Sequence, residues 1–283
     1  MKALSGKARL AGVMGWPVGH SLSPRLHGFW LETLNIDGAY VPLAVTPDNA
    51  PNAIATLAGL GFRGLNVTVP HKITALNCVD TVDDLARRIG AVNTIVYDDK
   101  GNSHGTNTDG YGFIENIRQR APGHDFTSGP AIVLGAGGAA RAIVVALMEA
   151  GAPEIRVTNR TQDRAEALVT QVGADKIATI VPWDQREDAL IEGALLVNTT
   201  TLGMTGQPAL EVSLQKLPEN ACVTDIVYSP LETRLLVDAH ARGNTAVDGV
   251  GMLLHQARPG FRAWFGEDPE VSEALRAHVL EGA

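Results

Sequence analysis

Four short stretches of this chain hold residue types that can do chemistry together. The first is Gly135-Ala136-Gly137-Gly138-Ala139-Ala140, which fits G-x-G-x-x-A between an apolar run at residues 131–134 and a helical pattern at residues 139–149. In that setting the first glycine permits a tight turn. The second lets backbone approach a pyrophosphate at a helix amino terminus, where free N–H groups and the helix dipole favour anions. A second strand, residues 154–158, ends about 20 residues beyond the glycines, where a cofactor with a free ribose 2′-hydroxyl meets an Asp or Glu. This chain has Asn159-Arg160-Thr161 there. A guanidinium grips a 2′-phosphate in a forked geometry and a carboxylate would repel it, so NADP(H) is favoured over NAD. Arg164, one helical turn on, supplies a second cation, and Thr161 reads as the helix N-cap with its hydroxyl in reach of the phosphate. The other reading of Arg160 and Arg164 is as solvated helix-end charges.

The remaining stretches are polar and lie within the first 109 residues: residues 18–24 (VGHSLSP), residues 66–72 (NVTVPHK), and Asn93-Thr94 with Asn107-Thr108-Asp109. Each sits at a strand end or before a helix, the edge of an α/β sheet where ligands bind. Ser21 and Ser23 precede a helix opened by Pro24, so their hydroxyls and the nearby N–H groups suit a carboxylate, or simply cap the helix. Lys72 and Asp109 suit an ion pair in which the lysine moves a proton on or off a substrate oxygen during hydride transfer while the aspartate orients it. In isolation such residues are ordinarily surface charges.

These residues need an α/β frame, and the pattern supplies one. A strand at residues 40–43, a helix at 50–60 and a strand at 64–69 give the βα rhythm of a parallel sheet. A helix starting around Gly112 leads into a second block, in which strands and helices alternate through residues 131–134, 154–158, 164–172, 177–181, 195–199, 223–227 and 233–242, an open doubly wound sheet. The tail, residues 252–265 and 271–280, shows helical spacing and no strand, so its helices return to something already built. The expected organisation is a substrate-binding domain at 1–108, a dinucleotide-binding Rossmann domain at 109–248, and carboxy-terminal helices at 249–283 packing back on the first domain.

Composition narrows the function classes. The 283 residues are 45% hydrophobic and 19% charged, which builds buried cores and excludes disorder as the main state. A net charge of −8 without a basic run argues against nucleic acid. Cys78 and Cys222 are too few and too far apart for a disulfide framework or a cysteine-rich zinc site. The residues around Lys2, Lys7 and Arg9 have no apolar stretch behind them to make a secretory signal, and the longest apolar stretch, residues 131–152, is broken by Arg141 and its glycines. The expectation is a cytoplasmic enzyme without membrane or metal. The eight histidines show no H-E-x-x-H spacing and Gly19-His20-Ser21-Leu22-Ser23 lacks the second glycine of a hydrolase elbow.

Taken in order, these segments resemble the shikimate dehydrogenase family across nearly the whole chain. The matching residues are Gly15-Trp16-Pro17-Val18 with His20-Ser21-Leu22-Ser23-Pro24, Asn66-Val67-Thr68 with Pro70-His71-Lys72, Gly90-Ala91-Val92-Asn93-Thr94, and Gly105-Thr106-Asn107-Thr108-Asp109. The glycine turn, Asn159-Arg160-Thr161, Asn198-Thr199-Thr200 with Gly203-Met204, and Gly249-Val250-Gly251-Met252-Leu253 leading to Gln256 complete the set. The resemblance implies reversible reduction of 3-dehydroshikimate to shikimate with NADPH, a step of aromatic amino-acid biosynthesis. It further implies that Ser21 and Ser23 bind the substrate carboxylate and that Thr68, Lys72, Asn93, Asp109 and Gln256 surround the ring hydroxyls. Lys72 and Asp109 would be the catalytic pair, and Tyr228 and Gly249 would lie near nicotinamide and substrate at a cleft between domains.

Ser21 and Arg160 separate the chain from related quinate/shikimate dehydrogenases, which tend to have threonine and an acid at those places. Gly28, where many members have asparagine, is a departure, and His255 receives no role. The alternatives are a dehydrogenase of broader range that includes quinate, and a non-catalytic NADP-binding sensor on the same scaffold. The sequence leaves monomer or homodimer open.

Overall fold

The computed structural model describes residues 3–281. Lys2 and the outer ends of the expected first and third segments, residues 1–2 and 282–283, lie outside them. The backbone divides into two units, one made of residues up to Thr108 together with those from Leu254 onward, the other of Asp109–Leu253.

In the first unit, strands β1 (Arg9–Gly15), β2 (Gly38–Ala44), β3 (Phe62–Val67), β4 (Thr81–Val82), β5 (Thr94–Tyr97) and β6 (Ser103–Thr106) form one sheet in the order β2-β1-β3-β5-β6-β4. Helices α1 (Ser23–Thr33), α2 (Ala50–Leu57), α3 (Lys72–Cys78) and α4 (Asp84–Ile89) connect them. β1 pairs parallel with β2 and β3, whereas β5 runs antiparallel to β3 and β6. The parallel rhythm read from residues 40–69 therefore describes half of a mixed sheet. Strand β3 starts and ends two residues earlier than expected, which leaves Thr68 and Val69 in the turn beyond it. Met14, Ile54, Leu65, Val67, Ile95 and Tyr97 from sheet and helix pack into one apolar core.

The second unit opens with α5 (Asp109–Arg120), which starts three residues before the expected Gly112. It continues through β7 (Ala131–Leu134), α6 (Gly138–Glu149), β8 (Ile155–Asn159), α7 (Gln162–Val172), β9 (Ala178–Pro182), β10 (Leu195–Asn198), β11 (Cys222–Asp225), α8 (Arg234–Ala241) and β12 (Thr245–Val247). All six strands are parallel, in the order β12-β11-β10-β7-β8-β9. Counted from β7, this is the doubly wound 6-5-4-1-2-3 order, with its reversal between β7 and β10. Strands buried on both faces need continuous apolar runs, and Ala131-Ile132-Val133-Leu134 supplies one, each residue 2% exposed or less.

Helix α9 (Val250–Phe265) and α10 (Glu273–Leu280) end the described chain. From Leu254 onward they belong to the first unit, where Phe261, Trp264 and Phe265 are buried. The Trp264 indole donates to the Ile95 carbonyl at 3.0 Å, and the Trp30 indole to the Glu270 carbonyl at 3.1 Å. These bonds satisfy two indole N–H groups that the apolar surroundings would otherwise strand. Among the described residues no helix is long and apolar enough to cross a membrane, and no three His, Cys, Asp or Glu side chains cluster as metal ligands.

Candidate active site

In the first unit the candidate substrate residues gather where β1 and β3 end. The Thr68 amide donates to the Met14 carbonyl at 2.9 Å and the Trp16 amide to the Val69 carbonyl at 3.1 Å, so the two post-strand loops run side by side. One loop leads to Ser21 and Ser23. Ser23 is the first residue of α1 rather than a residue before it, Leu22 is the N-cap, and no side chain caps the helix. The Ser23 amide donates to the Ser21 hydroxyl at 3.3 Å. The other loop carries Thr68 and then Lys72, which opens α3 and is half-buried.

Beside them lies a buried polar network that spacing alone could not show. Asn93 is 2% exposed. Its amide nitrogen donates to the Thr108 hydroxyl at 3.1 Å and to Gln256 Oε1 at 3.3 Å, while its carbonyl oxygen accepts from the Thr94 hydroxyl and the Thr108 amide, both at 2.9 Å. The Thr108 hydroxyl also donates to the Gln256 carbonyl at 2.8 Å. Asn93 and Gln256, distant in sequence, are thus held together by direct contact, and every bond that holds Asn93 also fixes its side-chain orientation.

Sequence reasoning missed two members of this region, His27 and Tyr40. The Tyr40 hydroxyl donates to Asn66 Oδ1 at 2.6 Å, and the Asn66 amide nitrogen donates to the Thr94 hydroxyl at 3.2 Å and the Asn93 carbonyl at 3.4 Å. The His27 ring stacks on Tyr40 with centroids 3.8 Å apart and planes 6° from parallel, and Trp30, Phe261 and Trp264 surround it. Ser23 and His27, four residues apart on α1, share a helix face, a spacing that could have pointed to His27.

Burial of His27 pushes its imidazole down to about 3, with Asn66 pulling weakly the other way. A histidine lowered in this way binds fewer protons folded than unfolded. Its contribution to stability is therefore complete above pH 6.5 and is lost as the pH falls toward 3. Between pH 7 and pH 4.5 the protein is expected to lose roughly 2–3 kcal/mol more than a His27→Phe variant does. Urea unfolding of both proteins across that range measures the difference, and parallel curves would contradict it.

In the second unit the glycine turn follows β7 directly. Gly135 has φ +110°, and a Cβ there would lie 2.7 Å from the Thr199 hydroxyl, so both conformation and space require glycine. Gly137 is the N-cap of α6, which begins at Gly138, one residue earlier than expected, and no side chain caps it. Gly137 and Gly138 are exposed and Ala136 and Ala139 half-buried, so the amino-terminal N–H groups of α6 are approachable. At the end of β8, Asn159 donates to the Thr161 carbonyl at 2.8 Å, and Thr161 is the N-cap of α7 with no bond from its hydroxyl to the helix. Arg160 and Arg164 are exposed and have no ion-pair partner among the described residues. Asp163 lies in the same first turn without pairing to either.

Across the sheet, Asp225 ends β11 with 0% exposure and accepts from Asn198 at 3.0 Å, from the Val227 amide at 3.0 Å and from the Thr233 hydroxyl at 2.7 Å. Burial raises its carboxyl above the usual range, against these three donors. The bonds fix the turn that carries Tyr228, a half-buried residue whose phenol burial also raises. Gly249 packs against this turn so closely that a Cβ would lie 2.4 Å from the Ile226 carbonyl. Asp109 opens α5 and is 8% exposed.

A six-stranded parallel sheet with a glycine turn at its topological reversal defines a dinucleotide-binding domain of the doubly wound class. Comparison with known proteins narrows the class. Residues 13–95 match the family model described as shikimate dehydrogenase substrate binding domain, and residues 117–231 that of shikimate / quinate 5-dehydrogenase. A shikimate dehydrogenase (NADP(+)) of Paramagnetospirillum magneticum is 60% identical over 98% of this chain and all of its own length. A shikimate 5-dehydrogenase of Thermus thermophilus, solved with NADP(H) and shikimate, is 38% identical with a TM-score of 0.86 over 97% of this chain and 100% of that one. A quinate dehydrogenase of Corynebacterium glutamicum, solved with NAD, is 29% identical with a TM-score of 0.89 over 97% of this chain and 99% of that one. The chain belongs to the shikimate dehydrogenase family.

Proposed function

We propose that this chain catalyses the reversible NADPH-dependent reduction of 3-dehydroshikimate to shikimate, a step of aromatic amino-acid biosynthesis. The observation that carries the reading is 60% identity to an NADP(+) shikimate dehydrogenase over 98% of the chain, and an exposed Arg160 at the end of β8 supports it. Ser21 and Ser23 hold the substrate carboxylate, and Thr68, Lys72, Asn93, Asp109 and Gln256 surround the ring hydroxyls. Approachable N–H groups, two unpaired arginines and the open Thr161 hydroxyl suit a pyrophosphate and a 2′-phosphate, so the donor set fits NADP(H). Gly135 to Ala139 form the cradle for the first, and Asn159, Arg160, Thr161 and Arg164 the grip on the second.

NADPH, when bound, supplies the hydride. Lys72, oriented by Asp109, hydrogen-bonds or protonates the oxygen that gains negative charge as the carbonyl becomes an alcohol. Tyr228 and Gly249 flank the reacting ends of cofactor and substrate. The same reading puts the reaction in the cytoplasm, in a monomer or a homodimer. The test is the near-ultraviolet signal of reduced nicotinamide when the protein meets shikimate or quinate with NADP or NAD. Rapid reduction with shikimate and NADP alone is expected. Equal rates with quinate and NAD would point to the broader enzyme, and silence with NADPH still binding to a sensor.

A further inference from the structure

The strand order of the second sheet gives a bound dinucleotide a direction. The residues read as the 2′-phosphate grip follow β8, and the glycine turn read as the pyrophosphate cradle follows β7, its neighbour in the sheet. A dinucleotide lies across the carboxyl ends of such strands, so its nicotinamide half continues beyond β7 toward β10 and then β11. Those two strands end in Asn198 and Asp225, each 0% exposed and bonded to one another.

The pair has a fixed polarity. The Thr200 backbone amide donates to Asn198 Oδ1 at 3.0 Å, and a backbone N–H can only donate, so this end of the carboxamide is its oxygen. The Asn198 nitrogen therefore faces the other way, and it donates to Asp225 Oδ1 at 3.0 Å and to the Leu202 carbonyl at 3.1 Å. Asp225 Oδ1 also accepts from the Val227 amide at 3.0 Å, and Oδ2 accepts from the Thr233 hydroxyl at 2.7 Å. Two of the three donors have nothing with which to accept, so the ionised carboxylate is the form the site fits. Among the described residues no Lys, Arg or His pairs with Asp225, so its charge is held by dipoles and neutralised by none. Packing alone does not call for that charge. An asparagine of the same shape would accept from Asn198 and Val227 and donate to Thr233, without the cost of burying an anion. The loops beyond the two strands are also tied to each other, the Thr205 amide donating to the Ser229 carbonyl at 2.8 Å, so the carboxylate is set in a rigid frame.

We propose that Asp225 sets the balance between the two forms of the cofactor, its buried carboxylate at the end of β11 favouring the cationic ring of NADP+ over the neutral ring of NADPH. The proposal rests on the reading that this unit binds NADP(H) with its adenosine end at β8. When the reduced ring gives up a hydride it gains one positive charge, and an anion already fixed at that end of the sheet needs no reorganisation to stabilise it. The same carboxylate repels the cofactor phosphates. Both forms carry identical phosphates, so that repulsion cancels when the two are compared.

The test is a pair of binding titrations at pH 8, NADPH followed by its fluorescence and NADP+ by its displacement of NADPH, on the wild-type protein and on Asp225→Asn. The ratio of Kd for NADP+ to Kd for NADPH is expected to rise about three- to twentyfold in the variant, the worth of unit charges about two strand spacings apart in a partly buried setting. Thr233→Val removes a bond to the carboxylate but leaves the charge, and its ratio should stay within about twofold of wild type. Both cofactors are titrated on the same sample, so the ratio does not depend on how much of a variant is folded. Asp225→Ser, neutral but smaller, should shift the ratio in the same direction and serves if Asp225→Asn does not fold. An unchanged ratio in the neutral variants, or equal changes for the two cofactors, would overturn the role of the charge. A shift in Thr233→Val as large as that in Asp225→Asn would overturn it too, because loop shape would then be the cause. Wild-type protein that binds neither NADP+ nor NADPH would overturn the cofactor reading itself.

Discussion

Lys72→Ala is expected to cut turnover about 100- to 10,000-fold while NADPH affinity stays within about twofold. The range is the usual worth of a positioned acid-base group. It applies because Lys72 is the amine in the segment beyond β3, on the same sheet edge as Ser23, Thr68 and Asn93. The glycine turn and the arginines lie in the other unit, which is why cofactor affinity is expected to survive. Single-turnover kinetics with saturating NADPH, together with a direct titration of the cofactor, separate the two quantities. Full turnover in Lys72→Ala would remove lysine from the reaction. Equal losses in turnover and NADPH binding would mean that it holds the cofactor instead. A Lys72→Arg variant keeps the charge but does not readily give up a proton, so its activity distinguishes an electrostatic anchor from a proton donor.

Arg160→Asp should weaken NADP binding by about 10- to 100-fold, the worth of a charge-assisted hydrogen bond to a phosphate, and leave NAD nearly unchanged. The expectation follows from geometry at the end of β8. The guanidinium is exposed, has no ion pair to break, and stands beside a helix N-terminus that itself attracts anions. The substitution also installs the acid that partners a ribose hydroxyl in NAD-binding domains, so NAD binding is spared and the preference between cofactors should shift by the full NADP loss. Equal losses for both cofactors would place the phosphate elsewhere, with Arg164 the next residue to replace.

The second unit was largely legible in the sequence. Its central strands β7 and β10 are buried along their length and read as apolar runs, and β7 coincides with residues 131–134, whereas the short edge strand β12, only one of whose three residues is buried, went unread. Its helices begin at glycine or threonine N-caps that mark themselves. The first unit was less legible. Strand β6 is Ser-His-Gly-Thr, whose polar composition reads as a loop, and it becomes a strand only because β5 and β4 pair with it. Strand β1 was passed over because its alanine and two glycines dilute the apolar signal.

The site divides in the same way. Ser21, Ser23, Thr68, Lys72 and Asn93 stand in segments whose residue types signal chemistry. Tyr40 and His27 stand among apolar neighbours on β2 and α1, where an aromatic or a histidine reads as core. Tyr40 enters the polar network by tertiary contact with Asn66, which leaves no mark in local spacing, and His27 joins that region only by stacking on Tyr40.

The first unit is assembled from the two ends of the described chain, and this gives protein synthesis an order. Everything in the second unit lies between Asp109 and Leu253, so that unit can close as soon as its own residues have left the ribosome. The substrate unit must wait. Until Gln256, Phe261 and Trp264 emerge, Asn93 lacks one of the acceptors that hold its amide, and the aromatic cluster around His27 has a missing wall. A nascent chain stalled before the last helices would carry a finished cofactor domain attached to an unfinished substrate domain with exposed apolar surface. Exposed apolar surface of that kind is what chaperones recognise, and it ties the competence of the substrate site to residues that follow the cofactor unit in the sequence.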